Sequence, residues 1–527
     1  MAPKGSQASL NGGMSSKQTN HAAQGLEKMG YQQELTRSRG LFHILFMLLA
    51  IIAVPFGLTA PIATSLVAGG PATILWGWVV ISITTQPLAL SLAEICSKYP
   101  TSAGAYYWCF RLTSPKRRLL SSWINGWLTM VGVWTISLSV NFGTAQILVA
   151  GVGIFKPDWV PAAWQTYLVF LGISFFSTFV GVFFNTLLPL IDVICACWTA
   201  LGVIVVLVSL SVKAAVGRHS AGFALAHFDP SPSGWVPGWA FFIGLLPPAY
   251  TYAAIGMVAS MAEEVHDPTR QLPLALTWAI PISFVLGLIY LLPILFTLPD
   301  ITTLLNVAGG QPIGVLFELI MGSKGGGFGM WIIIFGIGLF CAISISCAAS
   351  RATWSFARDK AIPLHRVWSK VNHPLGDVPV NAYMLSLVIQ LLLGLIFLGS
   401  TAAFNAFVGV AVICLGASYV MPIAICVANG RRDMADAPFN LGKWGYAINI
   451  FAILWMAFEI VLFSMPAVIP VTQVTMNYAS VVFVGFAAIS AIWYLISGRK
   501  NYSGPPAPTE EPSTNHSEKL GSDSQDE

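Results

Sequence analysis

Charge is what this chain of 527 residues most lacks: Asp, Glu, Lys and Arg together make up 9% of it, against 56% apolar residues. An ordinary soluble domain carries roughly 25% charged residues, so a water-soluble globule is excluded. The 26 Lys and Arg are scattered between long apolar runs. They form no continuous basic face, which argues against a nucleic-acid partner. Residues 1 to 40 contain no apolar stretch ahead of a cleavage site, so no signal peptide is read there and the first apolar run is expected to direct its own insertion.

Catalytic and metal-binding signatures are also missing. There is no HExxH, no GxSxG, no phosphate-cradling Walker loop and no pair of carboxylates at helical spacing within an apolar run. Seven of the eight histidines lie in tails or loops, and the eighth, His43, opens the first run. A membrane enzyme, a resident metal and an organic cofactor are therefore not expected. Repeated residues that could line a selectivity filter are absent too, which argues against a channel. The eight cysteines offer no extracellular disulfide framework. Cys195 and Cys197, two apart, point to different helix faces and cannot form a CxxC redox or zinc arrangement; all eight cysteines read as core residues.

What the chain has is twelve stretches long enough to cross a ~30 Å hydrocarbon layer as helices. They fall at about 41–66, 72–92, 120–148, 165–184, 187–212, 239–260, 273–298, 329–350, 378–398, 402–428, 446–466 and 477–497. Runs of this length suit helices, not alternating barrel strands. The expected architecture is an all-α polytopic membrane protein: a disordered tail over 1–40, a twelve-helix domain over 41–497 and a second disordered tail over 498–527. An even number of spans puts both tails on one side. With the tails in the cytosol, inner segments receive 22 Lys and Arg and outer loops only Lys156, Lys213, Arg218 and Lys324. That asymmetry predicts cytosolic termini. The sequons at Asn501 and Asn515 then face the cytosol and stay unglycosylated.

Two spans carry helix breakers at matching places. The first reads FMLLAIIAVPFGLTAPIATSLVAGG, with Pro55, Gly57 and Pro61 near its middle. Proline removes a backbone donor and collides with the preceding turn, so unwinding is predicted over Phe56, Gly57, Leu58, Thr59, Ala60 and Pro61. In the sixth span Pro247 and Pro248 disturb the entry, and Ala253, Ala254 and Gly256 supply small residues at the centre. Spans one and six are corresponding members of two five-span halves. A paired defect of this kind is the sequence pointer to an inverted-repeat secondary transporter with its site at mid-membrane. Free N–H and C=O groups at such breaks suit a carboxylate and a cation respectively. Tyr250, Tyr252 and Trp134 offer aromatic surface nearby.

Acids inside spans are expensive and usually functional. Asp192, about one turn into the fifth span, is the candidate proton carrier, with a plain interhelical hydrogen bond as the alternative. Glu459, in the eleventh span, reads as structural or as part of an oligomer interface. Glu94, Glu263 and Glu264 at cytosolic helix ends, with Arg351 and Arg358 across from them, are read as an ion-paired cytosolic gate.

Five blocks carry a family resemblance: SLAEICSKYPTSAGAYYW (Ser91 to Trp108), MAEEVHDPTRQLPLAL (Met261 to Leu276), SRATWSFARDKAIP (Ser350 to Pro363), VPVNA (Val378 to Ala382) and PFNLGKWG (Pro438 to Gly445). In this order and spacing the chain resembles the fungal amino acid/choline permeases, including GABA and choline permeases, of the amino acid–polyamine–organocation superfamily. The likeness covers 41 to 497. It implies a LeuT-like fold with inverted repeats at about 41–212 and 239–428, helices 11 and 12 at about 446–497, and alternating access. It further implies import of a small nitrogenous solute such as an amino acid, GABA or choline across the plasma membrane, with protons. The family's substrate site maps onto Gly57 to Ile62 and onto Ala253, Ala254, Ile255 and Gly256. Where many members have Asp in the sixth span and His four residues on, this chain has Gly256 and Ser260, and Pro61 replaces a Gly. The missing carboxylate argues against a choline or polyamine head and leaves a zwitterion read by helix ends. A porter of a specialised metabolite or its precursor is the alternative.

Overall fold

The computed structural model describes residues 21–307, 309–400, 403–472 and 475–506. Among these it is all helical apart from two isolated bridges, and twelve helical spans are long and apolar enough to cross a membrane. They run Leu41–Thr59, Pro71–Lys98, Arg118–Phe155, Ala163–Phe183, Asn185–Lys213, Pro237–Glu264, Pro268–Phe296, Lys324–Arg358, Val380–Gly399, Ala403–Ala428, Gly442–Leu462 and Ala479–Asn501, and are numbered here 1 to 12. Each expected span has its counterpart, with shifts at the ends.

Burial sorts the spans into a centre and a rim. Span 6 buries 78% of its most apolar window, whereas span 12 buries 6%. A helix that is apolar on all sides yet exposed is at home only against lipid. The long span 3 is central and packs on spans 8 and 10. Seven of the eight cysteines are buried, as expected of core residues, but Cys197 lies on the exposed face of span 5. Period explains the exception: Cys195 faces inward, and two residues further along the helix has turned through ~200°.

Proline geometry sets the interruptions. A proline ring collides with the carbonyl four residues back, so Pro55 cannot follow an unbroken turn containing Ile51. The first helix of span 1 accordingly stops at Ile52, Ala53 takes a left-handed conformation at φ 44°, and a second short helix runs Val54–Thr59. Pro61 ends that piece in turn, and a third helix follows at Ile62–Gly69. This corrects the expected unwinding over Phe56 to Pro61: Phe56, Gly57, Leu58 and Thr59 are helical, and the breaks flank them. Proline is tolerated in the first turn of a helix, and Pro55 occupies that position in the second piece.

Span 6 repeats the device. Its first helix ends at Ile243, a new one begins at Leu246 with Pro247 and Pro248 in its first turn, and this ends at Ala253. The chain then continues as a ten-residue 3-10 helix, Ile255–Glu264. Such runs seldom exceed 3–4 residues, and a long one marks a strained or hinged segment.

The amino-terminal stretch is ordered from residue 21, contrary to a disordered tail over 1–40. Leu26, Tyr31 and Leu35 are buried and anchor it beneath the bundle. It joins the end of span 6 by backbone pairing: the amides of Ser38 and Arg39 both donate to the Glu264 carbonyl at 3.0 Å, and His266 N–H donates to the Arg39 carbonyl at 3.0 Å. The face of the bundle carrying this stretch is called the terminal side below. The expected disordered tail over 498–527 is likewise corrected at its start, where the helix continues through Asn501 and Tyr502 is buried against Ser122; the remainder of both tails, 1–20 and 507–527, lies outside the described residues.

Candidate binding site between the interrupted spans

The two interrupted spans meet at one point. A Cβ on Gly57 would stand 2.5 Å from Thr251 Oγ1, so only glycine lets span 1 approach span 6 so closely. Breaks free backbone groups, and buried ones need partners. The Ile51 carbonyl receives the Cys341 thiol at 3.4 Å, and the Ala60 carbonyl receives Gln311 Nε2 at 2.9 Å. Thr59 Oγ1 and the Tyr290 hydroxyl are 2.7 Å apart, which fixes span 1 to span 7. The N–H groups opening the Val54 and Ile62 helices have no intrahelical acceptor, as at any helix start.

The expected aromatic residues are each tied to a neighbouring span. Tyr250 shares a hydrogen bond with Ser139 at 2.9 Å; Tyr252 shares one with Ser82 at 3.0 Å and stacks on Trp78. Trp134 donates to Thr353 Oγ1 at 3.1 Å. Phe56, Leu58 and Ile255 are buried, while Ala253 and Gly256 are half-buried.

Two cavities flank this meeting point. Away from the terminal side, a cavity of about 460 Å³ reaches Ala60 and Pro61 and is bounded by Gln146, Gln311, Phe404 and Asn405 among others. Its size suits a small molecule. Toward the terminal side only about 20 Å³ remains, between Gly256, Ser260 and Tyr419. That is room for a single water. A Cβ at Gly256 would stand 2.5 Å from the Tyr419 ring, which occupies the space a longer side chain would need. Of the twelve expected binding residues, then, Ala60 and Pro61 line the large cavity, Gly256 lines the small one, and the other nine are packed between or around them.

Below the small cavity the terminal side is closed by ion pairs. Arg351 Nε meets Glu264 at 2.7 Å, and Arg358 grips Glu263 with both amino groups at 2.9 and 3.0 Å. Four of the five expected gate residues thus pair across spans 6 and 8. Glu94 does not join them: it accepts from Arg431 at 2.8 Å and from the Leu441 amide at 2.9 Å, tying span 2 to the loop after span 10. Asp192 accepts from Arg39 at 2.7 Å and from Ser344 at 2.9 Å. Arg39 also reaches Glu264 at 3.3 Å, which makes a continuous chain Asp192–Arg39–Glu264–Arg351. Arg39 sits outside span 1; despite burial, which lowers the affinity of a guanidinium for its proton, Asp192 and Glu264 hold it firmly protonated.

Sequence reasoning passed over Arg39 and Tyr31 here, and marked Asp359 only as part of the family's cytosolic signature after span 8, without a partner. Tyr31 and Tyr106 each donate to Asp359 at 2.8 Å, and the Arg358 guanidinium lies over the Tyr31 ring. Burial pushes the Asp359 carboxyl up to about 6, against the opposing pull of Arg358 and the two phenol hydrogen bonds. A basic residue two positions before an apolar run was the only sign of Arg39. Glu459 is buried in span 11 and accepts from Trp455 Nε1 at 2.6 Å. Among the described residues no group of three or more His, Cys, Asp or Glu could hold a metal ion.

Comparison with known proteins gives the family. Residues 40–487 match the family model described as amino acid permease. A rice protein (Oryza sativa subsp. japonica) named amino-acid permease BAT1 homolog is 36% identical over 92% of this chain and 95% of its own length. Two proteins of Saccharomyces cerevisiae are similar over much of their length: a choline transporter at 31% identity, covering 87% of this chain and 82% of the relative, and the polyamine transporter TPO5 at 32%, covering 91% and 78%.

Proposed function

Because this chain belongs to the amino acid permease family and is a secondary transporter of small nitrogenous solutes, we propose that its cargo is a zwitterionic amino compound moved by alternating access with a proton. One observation carries this reading: the interrupted spans meet at Gly57 and Thr251 between a solute-sized cavity on one side and an ion-paired closure on the other. The half-helices at Val54–Thr59 and Ile62–Gly69 begin in that region, and their amino ends favour a carboxylate. Among the described residues no acidic side chain lines either cavity. That composition supports a solute carrying its own counter-charge over choline or a polyamine.

In this reading spans 1–5 and 6–10 form the two repeats, and the closure on the terminal side is the cytosolic gate. The Lys and Arg distribution supports cytosolic termini, so the open cavity faces outward, as an importer of the plasma membrane requires. Asp192 is the proton site. Protonation would neutralise the carboxylate that holds Arg39 and release one link of the gate chain. Transport, not turnover, is the chemistry; the solute leaves unchanged. A porter of a specialised metabolite or precursor is the second reading, favoured by Tyr419 filling the space beside Gly256.

The test is uptake into proteoliposomes of labelled GABA, choline, neutral and basic amino acids and polyamines at two external pH values, with Asp192→Asn beside the parent. Accumulation of a zwitterion that grows at acid external pH is expected. Asp192→Asn should abolish that accumulation and keep counterflow exchange. Unchanged accumulation in the variant removes Asp192 as the proton site, and preferential uptake of choline or polyamines overturns the cargo class.

A further inference from the structure

The far edge of the molecule, away from the solute path, carries a second groove. It is a cleft of about 460 Å³ between spans 3 and 12, with Leu120, Trp123, Trp127, Phe483 and Tyr494 among its lining. Its surface is almost wholly apolar, which in a bilayer means acyl chains, not water, fill it.

Three further observations give the groove a polar end. Trp127 is buried, and its indole N–H has no hydrogen-bond partner among the described residues, although Trp123 beside it donates to Ser490 at 3.1 Å. A buried donor without an acceptor costs free energy, and an acceptor from the occupant would remove that cost. Second, cations gather at the terminal-side mouth. Lys116, Arg117 and Arg118 precede or open span 3, and Arg499 and Lys500 close span 12. Contacts between the two segments bring these groups together: Ser122 and Tyr502 share a hydrogen bond at 2.9 Å, and Gly498 packs so tightly on Trp123 that a Cβ would stand 2.7 Å from its ring. None of the five makes an ion pair among the described residues, and no carboxylate occurs in residues 105–157 or 460–506. Third, span 12 changes to a π-helix at Tyr494–Gly498, where it borders the groove. π-turns of this kind collect at functional sites.

We propose that this groove binds one anionic phospholipid from the leaflet on the terminal side. An acyl chain lies along the cleft, an ester oxygen accepts the Trp127 N–H, and the phosphate and its anionic headgroup sit among Lys116, Arg117, Arg499 and Lys500. A row of cations beside an apolar cleft between spans is the arrangement that retains acidic headgroups. The lipid would join span 12, which has little protein to pack on, to the central span 3. The inference is independent of which solute is carried.

Native mass spectrometry of the full chain, released from nanodiscs of equal phosphatidylserine and phosphatidylcholine, tests it. One phosphatidylserine per chain is expected to survive release, with phosphatidylcholine at background. Lys116→Ala/Arg117→Ala/Arg499→Ala/Lys500→Ala should lower that retention roughly tenfold or more, given the attraction each cation adds near an acidic lipid. Lys443→Ala/Arg366→Ala, which removes cations elsewhere on the same side, should leave it unchanged. Ala491→Trp keeps all five cations and fills the groove; it should also release the lipid, which a purely superficial charge attraction would not do. Equal retention of the two lipids, retention of phosphatidylserine by the fourfold variant, or displacement by a sterol in preference to phosphatidylserine would each overturn the proposal.

Discussion

The two sides of the meeting of spans 1 and 6 are built from opposite materials. On the terminal side, Arg39, Asp192, Glu264 and Arg351 form a buried chain of charges, with Arg358 and Glu263 beside it. On the other side the cavity over Pro61 is lined by small, aliphatic, amide and aromatic side chains, with no charged one among the described residues. Buried ion pairs add little net stability over apolar packing, yet removing one partner is costly. Under the proposed alternating access they suit a surface that parts and re-forms in one register, whereas the other side needs only to stay uncollapsed.

Breaking the charged end should give the largest effect. Arg351→Ala leaves Glu264 with the longer contact to Arg39 alone, at 3.3 Å. Loss of a buried partner costs about 3–5 kcal/mol, which is on the order of 100-fold or more in the closed-to-open ratio. A Ser260→Cys probe should then react at least roughly 100-fold faster with a membrane-impermeant thiol reagent applied from the terminal side. Equal rates with and without Arg351 would mean that the ion pairs do not keep this end shut.

A middling effect is expected where the two ends meet. Gly57→Ala forces a methyl against Thr251, and overpacking of this kind costs about 1–3 kcal/mol. Uptake should fall roughly tenfold with unchanged amounts of protein in the membrane. Thr251→Ala in the same background should restore most of it. Normal uptake by Gly57→Ala alone would show that the close approach of spans 1 and 6 is dispensable.

The smallest effect sharpens the contrast by pH. Burial in the latched structure pushes the Asp359 carboxyl up to about 6, against the downward pull of the Tyr31 and Tyr106 hydrogen bonds, and above the ordinary carboxylate value of about 3.9 that it regains on exposure. The latched form thus binds the proton more tightly. Its stabilisation is complete below about pH 4 and is lost as pH rises through 6. Glu34, also raised by burial, acts in the same direction. Hydrogen exchange at the Ser38 and Arg39 amides, corrected for intrinsic rates, should report about tenfold less opening at pH 5 than at pH 7. Asp359→Asn should flatten that dependence, and an unchanged slope in the variant would assign it to another group.

Much of the architecture was legible because lipid leaves so few options. Twelve apolar runs could only be helices, and Pro55, Pro61, Pro247 and Pro248 located the interruptions to within a turn. Their details were less accessible. A proline acts four residues upstream, so Pro55 moved the first break to Ala53 and left Phe56 to Thr59 helical. The partners of the acids were harder still. Glu263 and Glu264 met Arg358 and Arg351 because adjacent helix ends constrain them, but Glu94 reached Arg431, 337 positions away in the chain. Nothing local in the sequence encodes such a pairing. The amino-terminal stretch was hidden for another reason: its few buried apolar residues are diluted among Gly, Ser and Gln.

The short backbone pairing between Arg39 and Val265 has a mechanical meaning. It couples the start of span 1 to the end of span 6, so moving one without the other means breaking the backbone hydrogen bonds between them. A displacement of the segment before span 1 is thereby passed to span 6 through a shared backbone seam.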